Sequence, residues 1–574
     1  MDDFNKFARA VSSVNITRSR FQRPSGHKTT FNAGELVPIY LDEVLPGDTV
    51  SMDTAAVARM ATPIHPVMDN AFMDIYYFFV PMRLVWDHAK EFFGENTSGP
   101  WEQQTEYTIP QVFVSQTRVN SVLDHMGLPI NTEDYYVNAL PLRAYALIWN
   151  EWFRDQNTTT PIPINKGDSS ITIYDNFSGY QWFDTVSNSY LEPATHFFKD
   201  FHTCLPVGKF HDYFTSALPE PQKGPAVTLP LGNLAPLSVS DDYVLSDNRT
   251  DSEGVLHIAS TEQPEGTLYE MLTAGGEGSQ TVVSNSFFAP STAWPINQTN
   301  LYADLSAADS ITVNTFRQAL ALQGLYELDA RAGTRYREII KSHFGVTSPD
   351  ARQQVPEYLH GKRIPITMAQ VLQTSSTDET SPQGNTAAYS LTQDVGNSFT
   401  YSATEHGYLI GLACIRTSQT YQERIEKLWS RKRRFDFYWP VFANLGEQPI
   451  YNKEIYFGTN SGNNDGIPSE TDGLKIGEDT FGFQEAWAEY RYKPSQITGY
   501  FRSNSDEPLD AWHYAENFSE QPTLSPQFIY QDKGVVSRTL AVTDAPQFIA
   551  DFQFNATWVR PMPMYSVPAL LGRM

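Results

Sequence analysis

Cysteine is scarce in this chain. Only Cys204 and Cys414 occur among 574 residues, and no CxxC pair is present. Two thiols cannot form a disulfide framework in a chain of this length. Because neither cysteine has a second one nearby, the sequence gives no indication of a zinc site. We therefore expect two inert thiols in a reducing compartment.

Long apolar runs are also missing. No stretch of about 18 apolar residues occurs, so we expect no membrane insertion. The first residues, MDDFNKFARAVSSVN, lack the apolar core of a secretory signal. We therefore expect the protein to be made and folded in cytosol.

The usual catalytic motifs do not occur. The sequence contains no GxSxG, GxxxxGK[ST], HExxH or GxGxxG, so we expect no catalytic residues, metal or cofactor. One cluster has metal-ligating residue types, but its spacing fits no helix or strand face and favours structural side chains: His196, Asp200, His202, His211 and Asp212. Carboxylate pairs that cleave glycosides leave no local motif. A secreted carbohydrate-active β-protein, glycan-binding or glycoside-cleaving, therefore stays open as the alternative.

Positive charge is in short supply. The net charge is −25, which taken alone argues against a nucleic-acid partner. The charge is uneven, however, since residues 1–30 carry six basic and two acidic side chains, whereas residues 225–310 carry one basic and eleven acidic ones. Because salt screens charges beyond about 8 Å, distant surfaces act independently. Local clusters therefore decide the partner.

Aromatic residues, proline and glycine are plentiful. Phe, Tyr and Trp make up 13%, with 37 Pro and 34 Gly. This mixture is typical of many short strands separated by turns. Strand patterns occur at 36–52, at 68–83 (a continuous apolar run that predicts a strand covered on both faces) and at 547–558, where six apolar residues alternate with polar ones. The alternation at 398–416 switches phase near His406, which predicts a β-bulge.

Helical periodicity is confined to a few segments. It predicts helices at 84–94, 121–127, 140–157 and 311–345, the last with a break at Gly324 or Gly333. Polar loops are predicted at 374–398 and 457–480, and a solvent-exposed insertion at 228–310. Distant strands with helices confined to loops predict a mainly-β sandwich with long excursions.

Two basic segments are candidate nucleic-acid sites. Residues 1–30 have no hydrophobic periodicity and are interpreted as a basic arm. A second cluster precedes FDFYWPVF, and cations beside aromatic rings are typical of single-strand binding, although ion pairs at a subunit contact would give the same composition. The candidate residues are Lys6, Arg9, Arg18, Arg20, Arg23, Lys28, Arg431, Lys432, Arg433 and Arg434.

Several ordered blocks resemble one known family. They include SRFQRPSGHKTTFNAGELVPIYLDEVLPGDT (19–49), MDNAFMDIYYFFVPMRLVWD (68–87), FRQALALQGLYELDARAGTRYREIIKSHFGV (316–346) and RRFDFYWPVFANLGEQPIYNKEIY (433–456). Together they resemble the major capsid protein of microviruses, closest to the gokushovirus subgroup.

This resemblance implies a specific architecture and set of partners. It implies an eight-stranded jelly roll at 31–574, assembled with copies of itself into a T=1 icosahedral shell around circular single-stranded DNA. The 1–30 arm would face the interior, and 228–310 would form a threefold protrusion that contacts a host receptor. An internal scaffolding protein and a minor pilot protein would be partners, and assembly would occur in the bacterial cytoplasm.

Overall fold

The structure is a computed structural model in which most of the chain can be described. The described residues are 17–96, 105–114, 117, 119–130, 135–168, 204–225, 227, 313–372, 386–457 and 479–565, with seven short strands at 182–184, 189–191, 237–239, 243–245, 256–260, 269–271 and 301–303. The chain divides into two compact units. The first unit comprises Met1–Lys223 with Glu327–Met574, and the second comprises Gly224–Tyr326.

Two four-stranded antiparallel sheets form the centre of the first unit. Their eight strands are β1 (Ser19–Phe31), β2 (Val37–Val44), β3 (Thr49–Met60), β4 (Ala71–Pro81), β5 (Glu357–Pro365), β6 (Thr392–Ser402), β7 (Gly407–Thr417) and β8 (Phe548–Arg560). One sheet has the order β1-β8-β3-β6 and the other β5-β4-β7-β2. The prediction of a mainly-β fold is confirmed.

The core between the sheets follows from alternation along the strands. In β8 the apolar side chains from Phe548 to Trp558 are buried at every second position, as the sequence pattern predicted. They meet side chains of the opposite sheet. Rings of Tyr40 and Phe554 lie 5.0 Å apart, and the Thr54 and Tyr77 hydroxyl oxygens lie 2.6 Å apart.

The second sheet is covered on both faces, which explains its continuous apolar strands. One face of β4 and β7 joins the inter-sheet core, and the other packs against α3 (see below) and neighbouring segments. In β7 every residue except Arg416 is buried. Thus the covered strand predicted at 68–83 is confirmed as β4, and β7 has the same environment.

Helices lie in the connections between the strands. The α-helices are α1 (Ala89–Phe92), α2 (Val122–His125), α3 (Leu140–Ile148), α4 (Val313–Ala332), α5 (Tyr336–Phe344), α6 (Asp350–Gln353), α7 (Pro526–Ile529) and α8 (Gly534–Ser537). Helix α3 continues into a π-helical turn at Trp149–Phe153 and ends before the predicted boundary at 157. The predicted break is confirmed at Gly333, whose φ of 103° ends α4, whereas Gly324 lies inside that helix.

Short elements complete the first unit. Paired strands are Gln111–Val114 with Tyr135–Asn138, Trp182–Asp184 with Ser189–Leu191, Met368–Leu372 with Thr386–Ser390, Thr420–Tyr421 with Ser495–Gln496, and Glu447–Tyr451 with Thr480–Glu485. The 3₁₀ turns are Met82–Leu84, Lys427–Ser430, Arg434–Asp436, Pro440–Phe442, Asn452–Glu454, Ala488–Tyr490, Gly499–Phe501 and Asp510–Trp512.

The second unit contains short strands. Tyr243–Leu245, Leu256–Ser260 and Tyr269–Met271 form an antiparallel sheet, and Leu237–Val239 pairs with Leu301–Ala303. The predicted insertion at 228–310 lies within this unit. Its surface position and its protrusion stay predictions.

Three interpretations of local sequence were wrong. Residues 19–31, which include the last twelve residues of the predicted arm, form β1, paired along its whole length with β8. The phase switch near His406 is not a bulge: β6 ends at Ser402 in one sheet and β7 begins at Gly407 in the other, so the buried side of the chain changes. The loop predicted at 374–398 contains strand Thr386–Ser390 and the start of β6. Most of the loop predicted at 457–480 lies outside the described residues.

Candidate nucleic-acid interface

Residues 427–445, here called the basic–aromatic segment, form an exposed run of tight turns. Three 3₁₀ turns, Lys427–Ser430, Arg434–Asp436 and Pro440–Phe442, follow one another. The Asp436 carboxylate accepts hydrogen bonds from the backbone N–H groups of Lys432 and Arg433, both at 2.7 Å. These bonds also lower the pKa of Asp436. The backbone beneath the basic cluster is thereby fixed as a turn.

Arg431 is bound to its own chain. Its Nη2 donates to Glu489 Oε1 at 3.0 Å and its Nη1 to the Tyr490 hydroxyl at 2.6 Å. The guanidinium carbon lies 4.4 Å from the Tyr490 ring centroid, a cation–π distance. Arg431 therefore forms an ion pair within its own subunit, with Glu489 as the acidic partner.

The other three cations of the cluster are exposed to solvent. Lys432, Arg433 and Arg434 are all exposed, and the Arg434 guanidinium carbon lies 4.7 Å from the Trp439 ring centroid. Exposed cations next to rings can meet phosphates and bases at the same time. Their contact with nucleic acid stays a prediction.

Large apolar side chains of the same segment are also exposed. Trp429 is 78% exposed, Phe435 66% and Val441 87%. Phe437, Tyr438 and Trp439 are exposed beside them. A concentration of exposed rings of this size marks a surface that meets another molecule.

A cavity of about 220 Å³ lies beside the segment. Its wall includes Arg424, Glu426 and Arg431 together with Tyr490 and Tyr492. Glu426 pairs with Arg424 at 2.9 Å and with Lys493 at 2.6 Å. The hydrogen bond from Lys493 is the main reason that the pKa of Glu426 is lowered. The cavity therefore combines charged groups with aromatic walls.

The partners of the basic cluster could not be identified from the local sequence. Glu489, Tyr490 and Tyr492 approach Arg431 from more than 50 residues along the chain. The downstream stretch AWAEYRYKP mixes aromatic and charged residues, and this composition was the signal available in the sequence.

The N-terminal cations do not form one group. Lys6 and Arg9 lie outside the described residues. Arg18 and Arg20 are exposed, and Lys28 Nζ lies 3.4 Å from Asp551. Arg18, just before β1, and Arg20, within it, have no close acidic neighbour among the residues that the structure describes.

Arg23 has a structural position instead. Its Nη1 lies 2.5 Å from Asp42 Oδ2, and its guanidinium carbon lies 5.6 Å from the Trp558 ring centroid. Asp42 belongs to β2, in the sheet opposite β1. These contacts bind Arg23 within its own chain, and its contact with nucleic acid stays a prediction.

The histidine cluster is only partly described. His196, Asp200 and His202 lie outside the described residues. Asp212 accepts hydrogen bonds from the Tyr421 hydroxyl at 2.7 Å and from the Thr215 N–H at 2.8 Å. Asp212 therefore holds a local turn. Within the described residues, no group of three metal-ligating side chains comes together.

No helix among the described residues is both long and apolar enough to span a bilayer. Two packed antiparallel sheets with long excursions between strands place the chain among the double-sheet β-proteins, a class that includes viral capsid and lectin domains. Within this class, the fold alone does not separate a shell subunit from a glycan binder.

Comparison with known proteins identifies which of these two kinds of protein the chain resembles. The family model described as capsid protein (F protein) matches residues 9–570. Capsid protein VP1 of Bdellovibrio phage phiMH2K is 42% identical over 98% of this chain and 97% of its own length. Capsid protein VP1 of Chlamydia phage 1 is 39% identical over 99% and 98%, and that of Spiroplasma virus 4 is 37% identical over 99% and 97%.

The chain belongs to the capsid protein family of the microviruses and is gokushovirus-like. As a phage capsid protein it is part of the virion and assembles into a shell. Membership in this family supports a structural role for the chain.

Proposed function

We propose that the chain is the major capsid protein of a T=1 icosahedral shell that encloses circular single-stranded DNA. The main support for a DNA contact is the composition and exposure of the basic–aromatic segment. In a chain of net charge −25, it exposes Lys432, Arg433 and Arg434 beside uncovered rings. Phosphates bind the cations and bases stack on the rings without sequence preference, which is what enclosing a whole genome requires.

The exposed cations at the start of β1 extend the same role. Arg18 and Arg20 are exposed, and Lys6 and Arg9 precede them in the chain. Each subunit offers few phosphate contacts and would bind weakly alone. Many copies that face one enclosed polynucleotide act together, so the shell retains the genome.

The remaining partners follow from the family and from charge. Residues 228–310 would form a threefold protrusion on the outer surface that contacts a host receptor, because eleven acids against one base in 225–310 would be repelled by DNA. An internal scaffolding protein and a minor pilot protein would take part in assembly in the host bacterial cytoplasm.

Salt dependence of DNA binding tests the proposal. Each cation that contacts a phosphate of a single strand contributes about 0.7 to the slope of log K against log salt. Replacing Lys432, Arg433 and Arg434 by Gln should reduce this slope by about 2 and lower the DNA content of particles. A matched control replaces three exposed cations elsewhere, Lys90, Lys341 and Arg352, by Gln. Equal effects of both sets would refute the DNA role of the segment.

A further inference from the structure

Two arginine side chains that line the cavity beside the basic–aromatic segment each have one Nε atom without an acceptor among the described residues. Within the described part of the chain, the Nε atoms of Arg424 and Arg431 are buried and have no hydrogen-bond partner. The Arg424 side chain is only 6% exposed. A buried donor without a partner is costly, and a charged one more so. The two arginines therefore present unused donor capacity in the wall of the cavity.

The neighbouring carboxylates already serve other donors. Glu426 accepts from Arg424 Nη2 and from Lys493, and Glu489 accepts from Arg431 Nη2. Arg424 Nη2 also donates to the carbonyl oxygen of Pro494 at 3.0 Å. The two Nε–H groups are therefore free to donate to a ligand, and an oxyanion is a strong acceptor for guanidinium.

Aromatic rings also line the cavity. Tyr490 and Tyr492 are about half exposed and belong to its wall. The ring of Tyr492 lies 6.1 Å from that of Tyr213, which is buried. An exposed tyrosine ring beside cationic donors offers a stacking surface for a planar base.

We propose that this cavity binds one nucleotide of single-stranded DNA, with a phosphate oxygen at Arg424 and Arg431 and the base against Tyr492. The site rests on the proposed function and deepens it. At about 220 Å³ the cavity is smaller than the typical small-molecule pocket, so it would take no more than one nucleotide.

An acidic peptide would satisfy the same donors but would leave the rings unused. The surroundings favour DNA, because Lys432 and Arg433 are exposed next to Arg431 in sequence and offer contacts to flanking phosphates. The cavity would thus anchor one nucleotide while the segment binds its neighbours.

Fluorescence anisotropy of the full-length chain with two labelled oligomers tests the site. The first is a dodecamer of thymidylate, and the second is an abasic oligomer of equal length. Tyr492→Ala should weaken binding of the dodecamer about ten-fold, leave binding of the abasic oligomer unchanged and leave the salt slope unchanged. Tyr492→Phe should restore binding, because the ring is kept. Tyr500→Ala removes a more exposed tyrosine ring outside this cavity and should change binding of neither oligomer.

The outcomes separate the site from the proposed function. If Tyr492→Ala affects both oligomers equally or neither, the nucleotide site is wrong, and a reduced salt slope on replacing Lys432, Arg433 and Arg434 would still support DNA binding by the segment. If the variant changes self-association and not DNA binding, the cavity holds a protein group instead. If the unaltered chain binds neither oligomer, both proposals fail.

Discussion

Arg23 and Asp42 join the two sheets at one edge of the sandwich. Arg23 lies in β1 of one sheet, Asp42 lies in β2 of the other, and their side chains meet at 2.5 Å. The Tyr40 hydroxyl also donates to Asp42, at 3.0 Å. Tyr40 and Asp42 both belong to β2, so this second bond orients the carboxylate, and Arg23 alone links it to β1.

We predict different effects for two neighbouring arginines of β1. Arg23→Gln removes the ion pair with Asp42 and should lower the free energy of unfolding by up to about 1 kcal/mol, because the pair is partly exposed. Arg20→Gln should leave stability unchanged and reduce the salt slope of DNA binding by about 0.7. Denaturant unfolding and DNA titration of each variant check this, and the reverse pattern would contradict the assignment.

The buried hydroxyl pair of Thr54 and Tyr77 also connects the sheets. Both side chains are at most 1% exposed. Tyr77→Phe should cost about 1–3 kcal/mol, because the Thr54 hydroxyl loses its partner without access to water. Adding Thr54→Val should recover part of that loss. Strictly additive effects in a double-mutant cycle would show that the hydroxyls are not coupled.

Local periodicity predicted the strands and helices in which buried side chains recur at regular spacing. The alternation in β8 and the continuous apolar run in β4 were interpreted correctly. Strand β1 was missed because it is an edge strand with Pro24 and Gly26 and mostly exposed side chains, so its pairing with β8 leaves no alternation. Strand pairing between opposite ends of the chain is not a local property.

His125 predicts a specific pH dependence of stability. Its side chain is buried, and its Nδ1 lies 2.9 Å from the Thr29 hydroxyl. Burial lowers the pKa of His125 to about 4. The neighbouring Asp124 raises this pKa and His27 lowers it, both by less than burial does. Because the unfolded chain binds a proton near pH 6.5 and the folded chain does not, this contribution is complete above pH 6.5 and is lost as the pH falls towards 4.

The expected size is about 2 kcal/mol between pH 7.5 and pH 5. His125→Asn should have a correspondingly smaller loss of unfolding free energy over that interval than the unaltered chain. Identical pH profiles for the two proteins would mean that His125 titrates normally in the fold.

Gly34 is required by both backbone conformation and space. Its φ is +83°, and a Cβ atom there would lie 2.4 Å from the carbonyl oxygen of Gln531. Gly34→Ala should lower the unfolding free energy by about 2–5 kcal/mol, from left-handed strain and overpacking together. Gly127→Ala is the control, since φ is +91° there but the space is open, and it should cost only about 1–2 kcal/mol. Equal losses would show that the Gln531 contact is not limiting.

The candidate interface could be predicted only in part. The sequence identified the cations at 431–434 because they are adjacent. It did not separate Arg431, which binds Glu489, from the exposed Lys432 and Arg433, because that difference depends on a segment more than 50 residues away. Whether a cation is available is decided by tertiary contacts.

An icosahedral reconstruction of DNA-filled particles would show where the basic–aromatic segment lies. We predict T=1 shells in which residues 427–445 line the interior and density for single-stranded DNA lies against Lys432, Arg433 and the neighbouring rings. The same segment on the outer surface, or sealed between subunits with DNA elsewhere, would contradict this prediction.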